Sequence, residues 1–381
     1  MDPRGPNVHL IGVDGSRHEL GTPALILDLD AMDSNIASLS AHATANDYLV
    51  RPVAKIHKSV EITRRQVAAG GYGTCVATLN EAEVMVDGDI EDVLLFTSVV
   101  TPPKLDRLAI LNERAVGLTV VADHAGNVAQ LGEAARRSGR TIKVLGDIEM
   151  GSRRTGIADE DILVKLVHQI VDTEGLEYAG VQGYGGGHMS MSDFGERRKI
   201  GLEVLNPVVS AVERLESLDL APEIVSGGGT GTHDIDHELG VLTEIQAGTY
   251  VVMDGNYLDV DMRRDDTRPF SPALFVRSTV IGNAQPGFVV TDAGLKEVDV
   301  VLGMNHPVIQ SGAPEGAVYS VVGDDMGRID FADPSDHLDV GDVVDLIPPH
   351  CYQTIIMYDW FHVVRGDTLV DIWPVDAKAT W

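Results

Sequence analysis

The sequence has few cysteines, few aromatic side chains and few basic residues. Two widely spaced cysteines, Cys75 and Cys351, give no disulfide framework. Aromatic residues make up 5% of the chain, and 29 basic residues face 58 acidic ones, so the formal net charge is −29. A charge of this sign repels phosphates, which argues against nucleic-acid binding and disfavours an anionic membrane surface.

Long apolar runs are also lacking. No segment approaches the roughly 18 consecutive apolar residues of a membrane span, and the polar residues 1–6 do not resemble the apolar core of a signal peptide. We therefore expect a cytoplasmic protein without a membrane partner. Hydrophobic residues still make up 44% of the chain, which is enough for large buried cores.

Short apolar runs alternate with amphipathic segments through the first two thirds of the sequence. The first predicted strand covers residues 24–29, with a helix at 31–43, and the eighth strand covers residues 222–226. Eight strand–helix alternations favour an α/β fold with a closed, TIM-type (β/α)8 barrel over an open sheet.

The character of the chain changes near residue 260. A polar segment at 262–269 is typical of a linker, and short β-branched runs separated by Gly, Asp and Pro follow it. These runs lie at residues 273–281, 287–290, 317–322, 340–347, 354–363 and 368–373. We predict a barrel at residues 21–260 and a smaller, mainly antiparallel β domain at 261–381, to which residues 1–20 could add a strand.

One predicted barrel strand ends in a lysine. Residues 51–58 read Arg-Pro-Val-Ala-Lys-Ile-His-Lys, and in a barrel this strand end lies on the catalytic face. Nearby cations and apolar walls lower the pKa of a lysine, so Lys55, beside Arg51, His57 and Lys58, would be a competent imine-forming amine. A solvated basic patch is the competing interpretation, and spacing alone favours neither.

Three adjacent glycines follow the last predicted barrel strand, in Ser226-Gly-Gly-Gly-Thr-Gly-Thr232. Their backbone N–H groups can converge on an anion, and barrels commonly hold a phosphate at this position. A flexible turn is the alternative. Gly248, Thr249 and Tyr250 could supply further donors.

Polar side chains mark two other segments. Asp147 and Glu149 are predicted on one side of a strand that leads to Arg154, which indicates either a polar site or a structural ion pair. His350 next to Cys351 suggests a metal. In an extended strand these neighbours would face opposite sides, so a core cysteine is the stronger interpretation from spacing.

Together these motifs resemble the D-threonine aldolase/D-serine dehydratase family. These are fold type III enzymes that share their barrel with alanine racemase and use pyridoxal 5'-phosphate (PLP). The family pattern Arg-Pro-His-x-Lys-x-His-Lys falls on residues 51–58, with Val53 in place of the histidine. The resemblance implies that Lys55 is the Schiff-base lysine.

Further family patterns fall on residues 151–156, 182–184, 226–232, 244–250 and 292–296. Thr249 replaces a serine of the family pattern. The residues that the resemblance assigns to the cofactor are Lys55, Arg154, Gln182, Tyr184, Gly228, Gly229, Thr230, Gly248, Thr249 and Tyr250.

The sequence departs from the family at its metal site. The family binds a divalent metal through His-x-Asp or His-x-Cys, whereas this chain has His350-Cys351-Tyr352, and residues 324–327 lack a further family histidine. The resemblance leaves His350 as a ligand of manganese, magnesium or zinc, with Cys351 or Tyr352 as the second. Its implied catalytic residues are Lys55, His188 and His350; without a metal, His188, His233 or His350 would act alone.

The resemblance implies a homodimeric lyase that takes a small D-3-hydroxy amino acid and yields glycine and an aldehyde. A dehydratase that releases ammonia, or a racemase, is the alternative on the same cofactor and is favoured if no metal binds. A non-catalytic PLP-binding protein is the third interpretation. Because such carriers are usually lone barrels, the predicted β domain counts against it.

Overall fold

The structure, a computed structural model, describes residues 4–300 and 306–378, which divide into two compact units. One unit comprises residues up to Ile36, Thr249–Asp259 and Pro269–Lys378; the other comprises Ala37–Gly248 and Val260–Arg268. The predicted division at residues 260/261 cuts the chain once, whereas each unit here contains separate segments of the chain. The predicted domain boundary stays a prediction.

The strands, in chain order, are β1 (Ala24–Asp28), β2 (Leu49–Val50), β3 (Thr74–Val76), β4 (Val93–Leu95), β5 (Thr119–Ala122), β6 (Ile142–Ile148), β7 (Leu176–Gly183), β8 (Ile224–Gly227), β9 (Glu244–Ile245), β10 (Leu274–Gly282), β11 (Phe288–Thr291), β12 (Val308–Ser311), β13 (Val318–Val321), β14 (Gly327–Asp330), β15 (Val343–Ile347), β16 (Trp360–Arg365) and β17 (Thr368–Pro374). The α-helices are α1 (Leu29–Ala45), α2 (Val60–Ala68), α3 (Leu79–Asp87), α4 (Pro102–Arg114), α5 (Ala125–Ser138), α6 (Glu160–Asp172), α7 (Phe194–Glu216) and α8 (Cys351–Ile355).

Eight parallel strands form the barrel, in the order β2-β9-β8-β7-β6-β5-β4-β3. The sheet closes where Val53, just beyond β2, pairs in parallel with Cys75 of β3. Helices α2 to α7 each follow the strand of the same number. The predicted (β/α)8 architecture, followed by a mainly antiparallel sheet, is therefore confirmed.

Local sequence sets several of the helix ends. Thr78 and Glu81 form a capping box at the start of α3, and Asp159 caps α6 by accepting hydrogen bonds from two backbone N–H groups. Helix α5 ends at Gly139, whose φ of 67° places it in the left-handed region that glycine tolerates best.

The unit that contains Thr249–Asp259 and Pro269–Lys378 is built on a nine-stranded sheet. Most of its pairs are antiparallel, such as β1 with β10 and β10 with β15, and β1 pairs in parallel with β16. One apolar cluster of this unit contains Leu10, Leu20, Ile26, Phe275, Ile347, Val364, Leu369 and Ile372. Within the described residues, no helix combines the length and apolar character needed to cross a bilayer.

The first predicted barrel strand was assigned to the wrong sheet. Residues 24–28 form β1 of the nine-stranded sheet, and the eighth barrel strand is the two-residue β9. A short, fully buried apolar run fits the centre of either kind of sheet, and two residues are too few to show a periodicity.

Other predicted elements also differ. Residues 1–20, of which 1–3 lie outside the described residues, contribute 3-10 helices at Pro6–Leu10 and Ser16–Glu19 in place of a strand. The segment around His350, predicted as extended, contains α8 with His350 as its N-cap. Strands β10, β11, β13, β15 and β17 confirm predicted runs, whereas β12 and β14 were missed.

Candidate active site

The carboxyl ends of the barrel strands bring together most residues that the sequence singled out. Because parallel strands end at the same face of a barrel, residues that follow different strands meet there. Those in the barrel unit are Lys55 after β2, Arg154 after β6, Gln182 and Tyr184 at the end of β7, Gly228, Gly229 and Thr230 after β8, and Gly248 after β9.

Lys55 lies in a turn directly beyond β2, with its Nζ atom 5.5 Å from the centre of the Phe96 ring. Burial lowers the pKa of Lys55. The Cys75 thiol opposes that shift, and the Arg154 guanidinium reinforces it. A lowered pKa increases the neutral fraction of the amine, which is the nucleophilic form.

Of the three basic residues predicted beside Lys55, Lys58 does lower its pKa, though less than Arg154 does. Arg51 donates to both carboxylate oxygens of Glu244 over 2.6 and 2.8 Å, and Lys58 pairs with the buried Glu81. Burial lowers the pKa of His57 to about 3, so its ring is neutral. The cation that lowers the pKa of Lys55 most is instead Arg154, which follows β6 and lies far from Lys55 in the sequence.

Arg154 lies on the exposed loop after β6, with its guanidinium 5.3 Å from the centre of the Tyr184 ring. This cation–π contact orients the guanidinium without consuming its hydrogen-bond donors. Glu149, which was predicted to line the strand beside Asp147, lies beyond the end of β6 and accepts hydrogen bonds from the backbone of Gly151 and Arg153. Glu149 therefore shapes the loop that carries Arg154.

A buried polar chain crosses the ends of β6 to β9. Gln182 donates to Asp147 over 3.0 Å, and Gln246 donates to Gln182 and to the Ser226 hydroxyl over 3.1 and 2.9 Å. Burial raises the pKa of Asp147. Buried polar groups that satisfy one another in this way hold fixed orientations, which pre-organises Gln182 at the mouth of the barrel.

The glycine loop after β8 has no room for side chains. A Cβ on Gly228 would lie 2.2 Å from Asp236 Oδ2, and one on Gly231 would lie 1.9 Å from the carbonyl oxygen of Met189. Asp236 accepts hydrogen bonds from the Gly229 N–H and the Thr232 hydroxyl over 3.1 and 2.8 Å. This carboxylate, which sequence reasoning missed, fixes the shape of the loop from behind.

The last predicted phosphate contacts, Gly248, Thr249 and Tyr250, are divided between the two units. Gly248 packs on the Lys55 segment, because a Cβ there would lie 2.5 Å from Ile56 Cγ1 and 3.1 Å from Val53 Cβ. Thr249 and Tyr250 belong to the other unit, where they form a 3-10 turn, and the Tyr250 ring lies 5.7 Å from that of Phe270.

His188 is buried after β7, and its side chain points toward α7. Its Nε2 would lie 3.1 Å from a Cβ on Gly201 and is without a hydrogen-bond partner among the described residues. Burial lowers the pKa of His188. His188 thus packs against α7, and its role in proton transfer stays a prediction.

His350, the predicted metal ligand, is the N-cap of α8, and Cys351 and Tyr352 follow it. The backbone N–H of Cys351 donates to Asp254 over 3.1 Å, and burial and Asp254 raise the pKa of the Cys351 thiol far above its usual range. The Tyr352 ring lies edge-on to His350, with ring centres 6.0 Å apart. Binding of a metal by His350, with Cys351 or Tyr352 as the second ligand, stays a prediction.

Two family descriptions match the chain. "Alanine racemase, N-terminal domain" covers residues 27–255, and "Putative serine dehydratase domain" covers residues 273–364. The chain belongs to the alanine racemase N-terminal domain family. It is an enzyme of the lyase class with PLP as its cofactor.

Relatives in this family match almost the whole chain. A 3-hydroxy-D-aspartate aldolase from Paracoccus denitrificans is 35% identical, over 97% of this chain and 94% of the relative. A D-threonine aldolase from an Arthrobacter species is 34% identical, over 94% and 92%. The crystal structure of a D-threonine aldolase from Filomicrobium marinum superposes with a TM-score of 0.90 at 34% identity and covers 95% of this chain and 96% of that one.

The barrel residues fit PLP. Lys55 is a buried amine with a lowered pKa, and the loop at Gly228 and Gly229 is packed so closely that a Cβ would overlap Asp236 or Met189. A loop without side chains lets backbone N–H groups approach a phosphate closely.

Proposed function

We propose that this enzyme cleaves the Cα–Cβ bond of small D-3-hydroxy amino acids to give glycine and an aldehyde. The observation that carries the proposal is the position of Lys55, a buried amine of lowered pKa on the same barrel face as the glycine loop. The names of the aldolase relatives support the substrate class. Bound PLP supplies an electron sink for the electron pair that the broken bond leaves at Cα.

The protein's part is to hold the cofactor and move protons. In this proposal Lys55 holds the cofactor covalently, Gly228, Gly229, Thr230, Gly248, Thr249 and Tyr250 bind its phosphate, and Arg154 with Gln182 and Tyr184 position its ring. The Arg154 charge also keeps the Lys55 amine neutral enough to react.

We assign the first proton transfer to His350. Its imidazole would take the proton of the β-hydroxyl as the Cα–Cβ bond breaks, and the imidazolium, directly or through water, would then return a proton to Cα to give glycine. No step here is routed through a metal. A dehydratase would instead remove the Cα proton with Lys55 and release the hydroxyl and then ammonia.

Identification of the products tests the proposal. Holoenzyme is incubated with D-threonine, D-3-hydroxyaspartate, D-serine or D-alanine, with EDTA or with Mn²⁺. Glycine with acetaldehyde from D-threonine supports the aldolase, whereas a 2-oxo acid with ammonia supports the dehydratase and L-alanine from D-alanine the racemase. No product from any of the four would overturn all three activities.

A lysine substitution tests the site independently. Lys55→Ala should abolish both turnover and the visible absorption band of bound PLP, because no other lysine is proposed to hold the cofactor. Lys165→Ala, on the exposed face of α6, is the matched control and should keep both. Survival of the band in Lys55→Ala would disprove the assignment.

The proposal also covers the substrate, the oligomeric state and the location of the enzyme. We propose that the enzyme works as a homodimer in the cytoplasm and takes a small-molecule D-amino acid. The dimer follows from the family resemblance, and analytical ultracentrifugation of the holoenzyme tests it. A monomer at working concentration would contradict it.

A further inference from the structure

The barrel unit carries a second group of metal-ligating side chains, outside the proposed PLP site. His42 lies in the last turn of α1, and Asp234 and His237 lie in the segment that follows the glycine loop. Their ligand atoms all lie within 4.8 Å of one another. No other group of three or more His, Cys, Asp or Glu side chains in residues 4–300 and 306–378 comes as close.

We propose that His42, Asp234 and His237 bind a divalent transition metal, with zinc as the best-fitting ion. Two imidazoles and one carboxylate are a ligand set that zinc accepts, with open positions left for water. The site is distinct from the His350 segment, because its three residues all belong to the barrel unit.

The spacing of the ligand atoms suits a metal. His42 Nε2 and Asp234 Oδ1 lie 3.6 Å apart. Two bonds of about 2.1 Å to one ion span this gap at an angle of roughly 120°, close to the tetrahedral value. A 3.6 Å gap is too long for a good hydrogen bond. The ligand atoms all lie within 4.8 Å of one another, and a pair at that limit would have to approach by about 1.4 Å to reach tetrahedral geometry.

The carboxylate is already oriented. Asp234 Oδ2 accepts a hydrogen bond from the Arg264 backbone N–H over 3.0 Å, which leaves Oδ1 to face His42. The Arg264 side chain contacts the Asp234 carbonyl oxygen and Glu238 Oε1, at 3.1 and 3.0 Å, and its Nε lies 3.5 Å from Asp234 Oδ2. Contacts of this kind orient ligands in metal sites and partly neutralise the arginine charge that would otherwise oppose a cation.

The two imidazoles are held by ring contacts, and His42 Nε2 also lies 3.2 Å from the His233 carbonyl oxygen, a contact that a metal ion would replace. The Tyr48 ring stacks on His237 at 6.3 Å with an interplanar angle of 15°, and His42 meets His237 edge-on at 5.6 Å. The Nδ1 atom of His237 is buried and has no hydrogen-bond partner among the residues described. A buried, unpartnered imidazole nitrogen costs free energy unless something binds it, and a metal ion would satisfy it.

The site would act as a clamp on the glycine loop. Its ligands join α1 to the segment 233–240, and Asp236 in that segment holds Gly229 and Thr232. A metal bound here favours the folded arrangement by mass action, since the unfolded chain does not bring the ligands together.

Zinc binding to purified protein tests the proposal without any activity assay. PLP-loaded enzyme in an His350→Ala background, stripped with EDTA and dialysed, is titrated with Zn²⁺ by calorimetry and with Co²⁺ by visible absorption. We expect one Zn²⁺ per chain, a Co²⁺ absorption band and a higher thermal midpoint with zinc. The His350→Ala background separates this site from any metal held in the β domain.

Variants decide between this site and others. His237→Gln and His42→Gln should each weaken Zn²⁺ binding at least tenfold and abolish the zinc-dependent rise in thermal midpoint. His168→Ala, an exposed histidine of α6, is the control and should change neither. Unchanged Zn²⁺ affinity in both glutamine variants, or no Zn²⁺ binding to the parent, would overturn the proposal; circular dichroism confirms that each variant is folded.

Discussion

Arg51 and Glu244 form a two-pronged ion pair inside the barrel, with Nε–Oε1 and Nη2–Oε2 distances of 2.6 and 2.8 Å. Arg51 directly follows β2 and Glu244 lies on the adjacent β9, and each side chain is only 2% exposed. Arg51 also donates to the carbonyl oxygen of Asp92 and lies over the Tyr72 ring. The pair thus ties together the strand that precedes Lys55 and the strand that precedes Gly248.

Breaking this pair should be costly. Glu244→Gln leaves the Arg51 cation buried without a countercharge, and we expect a loss of about 3–5 kcal/mol in the free energy of unfolding. The matched control is Glu83→Gln, which breaks a similar two-pronged but partly exposed pair with Arg107 and should cost about 1 kcal/mol or less. Urea denaturation measures both; equal losses would contradict the argument.

The glycine loop permits a comparison at matched backbone geometry. Gly228 and Gly240 have φ values of 63° and 62°, but only a Cβ on Gly228 meets another atom, Asp236 Oδ2 at 2.2 Å. Gly240→Ala should cost only the left-handed strain, about 1–2 kcal/mol. Gly228→Ala should cost more and weaken PLP binding at least tenfold. Urea unfolding and PLP titration measure these effects. Equal behaviour of the two variants would refute the requirement for glycine at position 228 in the phosphate loop.

Arg154 should set the pH at which the apoenzyme takes up PLP. Burial and the Arg154 charge lower the pKa of Lys55, against the opposing effects of Cys75 and Glu81. Arg154→Met therefore raises that pKa, so less neutral amine exists at a given pH and the pH profile of cofactor uptake moves upward. Arg154→Lys keeps the charge and should move the profile less. Recovery of the visible absorption band, followed against pH, measures this; an unmoved profile in Arg154→Met would contradict it.

The two histidines predicted as catalytic should respond differently to substitution. His188 Nε2 faces Gly201 of α7, so His188→Asn should lower kcat less than tenfold while reducing thermal stability. His350→Asn should lower kcat by about 10²–10⁴-fold, the usual contribution of a general base. Steady-state kinetics with D-threonine measures both. If His188→Asn shows the larger loss in kcat, His188 and not His350 is the general base.

The sequence determined the fold class and most of the residues at the barrel mouth. Alternating apolar runs and helix caps are local signals, so they can be recognised in the sequence without the tertiary structure. The lysine of residues 51–58 and the glycines of 226–232 are equally local, because turn geometry and backbone access depend on a few adjacent residues.

Tertiary structure decided the partners of those residues. Glu244 opposite Arg51, Asp236 behind Gly229, and Arg154 acting on Lys55 all depend on contacts between segments far apart in the chain. The same holds for β1, whose buried run fits two kinds of sheet equally well until its neighbours are known. Burial and pairing energies depend on the three-dimensional surroundings, so a linear pattern leaves them open.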